Sequence, residues 1–306
     1  MKPNSRYILA SLAAAALFSS CEQVISPRLQ QANPVVVVDA WINNQQETQK
    51  IYLYESQPYF DNSTPQPLTG ASVLVVNQTQ SKTYTFSEAP GGAYLWTPAV
   101  ADELGVAGDQ FSLAIQYGGQ TFSSVSRMGR VPAIDSITFK KDKRIGTGTE
   151  IFLGEFWATD PVGGGDTYWI RTTKNGTLLN KPSELVLAYD AGFSAGSLTD
   201  GVTFISPIRT GINPNETAQN GKEPPSPYTP GDSVHVRIYS ITLAAFNFLT
   251  EVSTQTNRPG GFAELFSTPL ANVSTNITTS GNQSGAVGFF NVSAVSQRGQ
   301  KFVPKP

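Results

Sequence analysis

The sequence predicts a mainly β protein, with two successive β-rich domains and one amphipathic helix. Three observations carry that reading. Short alternating or β-branched runs recur along the chain, separated by Gly, Pro and Asn turns. Aromatic residues at 10% stand beside 27 Gly and 21 Pro, a composition of short strands joined by turns and not of helical bundles. One stretch alone, near residues 241–257, holds an apolar stripe at helical spacing. At 306 residues the chain is long enough to bury two ordinary cores.

Residues 1–20 read as an export signal and residues 21–33 as a tether. Lys2 and Arg6 form a basic start. Residues 7–18 (YILASLAAAALF) are apolar but too short for a bilayer span, which takes roughly 20 residues. Ser19 and Ser20 lead to Cys21, the lone cysteine. The arrangement resembles a bacterial lipobox, with Phe18 where the usual box has Leu, and implies that Cys21 is lipidated and becomes the mature N-terminus. Acyl chains contribute about 0.8 kcal/mol per buried CH₂, so several on one Cys anchor a protein stably. Glu22 follows where the inner-membrane retention signal has Asp, which points to the outer membrane, with either its periplasmic or its outward face open to the protein.

Residues 34–130 read as the first domain. Residues 35–42 (VVVVDAWI) are a β-branched strand, and residues 50–55 (KIYLYE) alternate, with Ile51 and Leu53 on one face and Tyr52 and Tyr54 on the other. After a polar loop over 58–70 come strands at 71–77 and 82–86. Residues 111–117 and 120–126 flank Gly118-Gly119, a hairpin signal. Strands at this spacing fit an immunoglobulin- or prealbumin-like sandwich.

Residues 131–306 read as the second β-rich domain. Its expected strands are 134–140, 151–159, 167–173, 183–189, 202–205 and 232–240 (DSVHVRIYS). Residues 208–230, rich in proline and without periodicity, read as a long loop of the kind that is often functional. Ile241, Ala245, Phe248, Leu249 and Val252 form the helix stripe, with Ser240 as the cap and Asn257, Pro259 and Gly260 as the stop. Residues 286–296 close the chain as one or two strands.

The residue types exclude much chemistry. A lone cysteine leaves no disulfide within the chain and no Cys-based metal site or nucleophile in the folded part. A lone histidine, His235, removes every site that needs two imidazoles. The formal net charge of −2 gives no electrostatic footprint for nucleic acid. Gly192-Phe193-Ser194-Ala195-Gly196 fits the nucleophile elbow G-x-S-x-G, with Asp200 and His235 following in hydrolase order. That motif needs a helix after the serine, and residues 197–203 (SLTDGVT) do not read as one, so a turn and a strand histidine are the expectation. Residues 160–166 (DPVGGGD) offer carboxylates to Ca²⁺ but lack the alternating acidic spacing, and read as a hairpin connection without metal. Asp135-Ser136-Ile137 and Asp232-Ser233-Val234 resemble the O-glycosylation motif of exported Bacteroidetes proteins, at Ser136 and Ser233. Among the aromatics, Tyr59, Phe60 and Tyr228 lie in loops and are the interface candidates.

The order of several short motifs carries a wider resemblance. Cys21-Glu22 comes first, then Trp41-Ile42-Asn43-Asn44 and Leu68-Thr69-Gly70-Ala71-Ser72-Val73. Pro132-Ala133-Ile134-Asp135-Ser136-Ile137, Pro230-Gly231-Asp232-Ser233-Val234 and Phe246-Asn247-Phe248 follow, and Ala271-Asn272-Val273-Ser274 and Gly288-Phe289-Phe290 come last. Across nearly the whole mature chain this resembles the Bacteroidetes outer-membrane lipoproteins grouped as DUF4249. The resemblance implies a gene beside a TonB-dependent transporter and an accessory role with it, and it supplies no catalytic residues. The expected function is therefore a non-enzymatic envelope lipoprotein without cofactor, anchored to the membrane through Cys21, that binds a small molecule, glycan or peptide or assists the transporter. The rival expectations are a hydrolase using Ser194 or a carboxylate dyad drawn from 23 acidic residues, and a structural adhesin.

Overall fold

Alternation makes each strand of the first sheet two-faced. In β1 (Val36–Asn43) Val38, Ala40 and Ile42 turn inward, and in β2 (Gln49–Glu55) Ile51 and Leu53 do. Val73 and Val75 of β3 (Ser72–Asn77) and Tyr84 and Phe86 of β4 (Lys82–Ala89) join the same core. The computed structural model describes residues 33–304 except 59–60, 62, 101, 197, 219–220 and 281–284. The assignments to Cys21, the export signal and tether, Tyr59 and Phe60 lie outside the described residues.

A short strand that local pattern did not announce, β5 (Ala93–Trp96), follows a Pro90–Gly92 turn. Its Tyr94 is fully buried, donating to the Leu68 carbonyl at 3.0 Å and accepting from the Ala71 amide at 3.1 Å. β6 (Gln110–Tyr117) and β7 (Gln120–Arg127) form the expected hairpin. Gly118 and Gly119 at its tip have φ of 56° and 77°, the pair of positive values that a tight hairpin turn needs.

Both edges of this sheet are supplied from the far end of the chain. β14 (Thr278–Thr279) pairs antiparallel with β7, and β15 (Val287–Ser293) pairs parallel with β1. The order is β14-β7-β6-β3-β4-β5-β2-β1-β15. β4 turns the corner, pairing with β3 through its first half and with β5 through its second, so that the sheet curls over a single core.

The second half of the molecule has a hairpin, β8 (Ile134–Lys143) with β9 (Glu150–Ala158), and a separate sheet. That sheet runs β11 (Thr177–Leu178), β10 (Thr167–Lys174), β13 (Ser233–Ile241) and β16 (Val295–Lys301), with β12 (Val186–Tyr189) also on β10. Tyr168, Ile170, Val234, Val236 and Ile238 turn toward the hairpin and share its core with Ile137 and Phe156. The opposite face carries Trp169 and Tyr239 toward the helix α1 (Leu243–Thr256). Residues 287–301 stitch the two sheets together: β15 ends in the first and, one residue later, β16 begins in the second. Contacts group Pro34–Pro306 into one compact unit.

Several expectations change here. The helix is capped by Thr242, whose hydroxyl accepts the Ala245 amide at 3.2 Å. Ser240 instead stays in β13 and its hydroxyl accepts the Ala294 amide at 2.9 Å. Residues 202–205 make isolated bridging contacts and no strand, because the Phe204 side chain is drawn into the second core. Residues 160–166 do not close a hairpin: β9 and β10 belong to different sheets, and the segment crosses between them. The described residues of the proline-rich stretch 208–230 contact β9, where Gly154 and Asn213 exchange two hydrogen bonds of 2.8 and 2.9 Å, and Ile208, Ile212 and Tyr228 are buried.

Candidate functional site

The outward residues of four strands meet in one cleft. On β1 these are Asp39, Trp41 and Asn43, the positions between the buried Val38, Ala40 and Ile42. β2 contributes Lys50 and Tyr52, β10 contributes Trp169 and Arg171, and β13 contributes Arg237 and Tyr239. Each pair is spaced by two, as residues on one face of a strand must be. The cleft has a volume of about 690 Å³, inside the range of small-molecule sites.

Its aromatic wall is packed ring against ring. Trp41 meets Trp169 edge to face at 5.3 Å and stacks on Phe289 at 5.7 Å, and Phe248 of α1 stacks on Phe289 at 4.7 Å. The helix therefore braces the tryptophans from behind. Trp169 in turn carries the Arg171 guanidinium over its ring at 4.6 Å, with the Tyr239 ring 5.9 Å away on the same cation.

The other wall is a polar network on the β1–β2 turn. Asn43 donates to Glu47 at 3.1 Å, and its backbone amide donates to Gln49 Oε1 at 2.8 Å. Glu47 reaches across to β13, where both its oxygens accept from Arg237, at 3.1 and 3.0 Å. Arg237 also donates through Nε to Gln297 of β16 at 2.9 Å. Burial pushes the Glu47 carboxyl up, but the hydrogen bonds from Arg237 and Asn43 and the charges of Arg237 and Arg171 outweigh it and hold the group below its ordinary value. Burial likewise works against the Arg237 charge, and the bonds to Glu47 and Tyr239 raise it nonetheless. Asp39 behaves differently: although the residue is exposed, desolvation of its carboxyl raises it, and the Arg171 charge and the Trp41 indole offset only part of that.

Residues 22–299, which include every one of these cleft residues, match the profile described as Domain of unknown function (DUF4249). The chain belongs to the DUF4249 family. No curated protein shows significant similarity to it. The cleft lies wholly within the residues of this chain that match DUF4249.

The residues singled out by sequence motif lie elsewhere in the DUF4249 domain. His235 pairs with Thr173 on β10, whereas the loop bearing Asp200 and Ser194 springs from the Thr167 end of that strand. Six residues at roughly 3.3 Å each set these ends about 20 Å apart, so no Ser-His-Asp triad assembles. Ser194 is exposed on a turn with no helix after it. Burial and the Arg237 charge hold His235 below the usual imidazole value. Tyr228, expected at an interface, is fully buried, with its hydroxyl donating to the Ile212 carbonyl and its ring edge against Phe139. The apolar ring wins over the polar sequence around it. Ser136 is half-buried on β8, and Ser233 is exposed at the start of β13, where its amide donates to Asn175 at 2.8 Å.

One acidic cluster is present among the described residues. Asp160, Asp190 and Asp200 each bring a carboxylate oxygen within 4.8 Å of the others. These groups fasten the 160–166 crossover. Asp200 accepts the Gly163 amide at 2.9 Å, Asp190 accepts those of Gly165 and Asp166 at 2.8 and 3.0 Å, and Asp160 accepts from Gly201 and the Tyr168 hydroxyl. Burial raises Asp160, the bonds from Tyr168 and Gly201 lower it, and the charges of Asp166 and Asp190 raise it further.

Neither Trp41 nor Trp169 is among the interface candidates that the sequence offers; Trp41 stands there only within a motif. The signal that pointed to the cleft was polar or charged residues alternating with aromatics on the outward positions: Asp39 with Trp41, Trp169 with Arg171, Arg237 with Tyr239.

Proposed function

We propose that this chain is a non-enzymatic, lipid-anchored envelope protein that binds a small polar ligand in the inter-sheet cleft and serves as the accessory partner of a TonB-dependent outer-membrane transporter. The observation that carries the binding role is the cleft itself: aromatic faces braced from behind, with charged groups of both signs set around them by two different sheets. Such a surface recognises by shape, stacking and hydrogen bonds, and it needs no proton transfer. The lipobox resemblance at Cys21 and membership of the DUF4249 family support the setting. No helix among the described residues is long and apolar enough to cross a membrane, so an acyl anchor at Cys21 is the attachment this reading requires.

The test is recovery of a C-terminally tagged chain from gently solubilised outer membranes, followed by mass spectrometry. Stoichiometric recovery of a TonB-dependent transporter, and reduced uptake when the lipoprotein is deleted, is the expected result. Recovery of the lipoprotein alone, with uptake unchanged, would refute the accessory role. Labelling with a fatty-acid analogue, lost in Cys21→Ser, checks the anchor.

A further inference from the structure

We infer that the cleft takes a zwitterionic amino compound, a free amino acid or a short peptide, with its carboxylate on Arg171 and its ammonium on Asp39. This rests on the reading of the cleft as a ligand site and names the chemistry it selects.

Arg171 is held and yet uncommitted. Its guanidinium sits over the Trp169 ring at 4.6 Å, with the Tyr239 ring at 5.9 Å, and its side chain makes no hydrogen bond or ion pair among the described residues. Trp169 is itself fixed by Trp41, so the cation is pre-positioned by ring packing and not by an acceptor. A guanidinium held over a ring with N–H groups unclaimed can grip a planar carboxylate through two parallel bonds. The other arginine of the cleft differs on this point, because Glu47, Gln297 and Tyr239 occupy Arg237.

Asp39 supplies the opposite charge. It lines the same cleft from β1 and interacts electrostatically with Arg171, but the two form no ion pair. The residue is exposed on the open face of β1, and among the described residues no cation is in contact with its carboxylate, so that group is open to a ligand's ammonium. A neutral sugar would stack on the rings and leave Arg171 and Asp39 without an ion partner in direct contact. A phosphate or sulfate would meet Asp39 and Glu47. A molecule carrying both an ammonium and a carboxylate satisfies Asp39 and Arg171 together, and its apolar remainder has Trp41 and Tyr52 to lie against.

The experiment is calorimetric titration of the folded, unlipidated chain from residue 22 at neutral pH. The probes are free leucine, the tripeptide Leu-Gly-Gly, the N-acetylated and C-amidated forms of that tripeptide, a uronate oligosaccharide and a neutral glucan. Binding of leucine or the free tripeptide is expected, weakened at least about tenfold by either blocking group and by either Arg171→Gln or Asp39→Asn. Leucine binding as tightly as the tripeptide assigns the site to free amino acids, and tripeptide alone assigns it to peptides. Equal binding of blocked and free tripeptides, or binding of the saccharides alone with Tyr52→Ser abolishing it, would overturn the inference and leave the cleft as the site. Zwitterion binding that ignores Arg171, Asp39 and Tyr52 substitutions would overturn both. No binding by any probe, with circular dichroism showing an intact fold, would overturn the inference.

Discussion

Breaking the Glu47–Arg237 pair tests whether the β1–β2 turn is held onto the second sheet as described. The pair is doubly hydrogen-bonded, at 3.1 and 3.0 Å, and its side chains are 38% and 28% exposed. Hydrogen bonds to charged groups contribute roughly 1.5–3 kcal/mol when shielded, and exposed ion pairs at most about 1 kcal/mol. With a third of each side chain in solvent the coupling is set near the lower figure, about 1 kcal/mol. Glu47→Gln alone loses this and strands part of the Arg237 charge, so a fall in Tm of about 2–4 °C is expected for a chain of this size. The assay is a double-mutant cycle of Glu47→Gln, Arg237→Gln and the pair, read by chemical denaturation. The pH dependence has a definite sign. The Glu47 carboxyl is lowered from 4.5 in the folded state, so its contribution is complete above the unfolded value and disappears as pH falls through the folded one. A coupling below about 0.3 kcal/mol at neutral pH, or one that stays constant into acid, would refute the reasoning.

Other substitutions probe the frame around the cleft. Gly288 has φ of +109°, and a Cβ there would sit 1.9 Å from the Val38 carbonyl oxygen, so Gly288→Ala should cost more than about 3 kcal/mol and speed hydrogen exchange in Val36–Asn43. Thr242→Ala removes the helix cap and should lose about 1 kcal/mol in denaturant unfolding, with Thr242→Ser restoring most of it. Tyr228→Phe leaves the buried Ile212 carbonyl without its donor and should cost about 1–2 kcal/mol; an unchanged midpoint would contradict the buried placement. Ser194→Ala should change stability by less than about 0.5 kcal/mol and leave ligand binding unaltered, and a lost hydrolytic activity would reopen the triad.

Much of the strand pattern was legible because a strand's two faces are written at period two. Val38, Ala40 and Ile42 against Asp39 and Trp41, or Val234, Val236 and Ile238 against Arg237 and Tyr239, needed no partner to be recognised. The helix stripe at Ala245 and Leu249 was legible for the same kind of reason. β5 escaped because four residues between turns carry too little periodicity, and Thr242 displaced Ser240 as cap because β13 runs on through Ile241 before releasing the chain.

By itself the sequence determined which residues of each strand turn inward, where the hairpins and the helix fall, and that His- and Cys-based chemistry is limited to single residues. It did not determine which outward faces meet. That depended on pairings between distant segments: β15 with β1, some 250 residues apart in the chain, and β16 with β13, which bring Glu47 to Arg237 and Trp41 to Trp169. Local pattern fixes a face because side-chain direction is set by the nearest peptide units. The choice of neighbour is made by burial summed over the whole chain, and the cleft exists only once that choice is made.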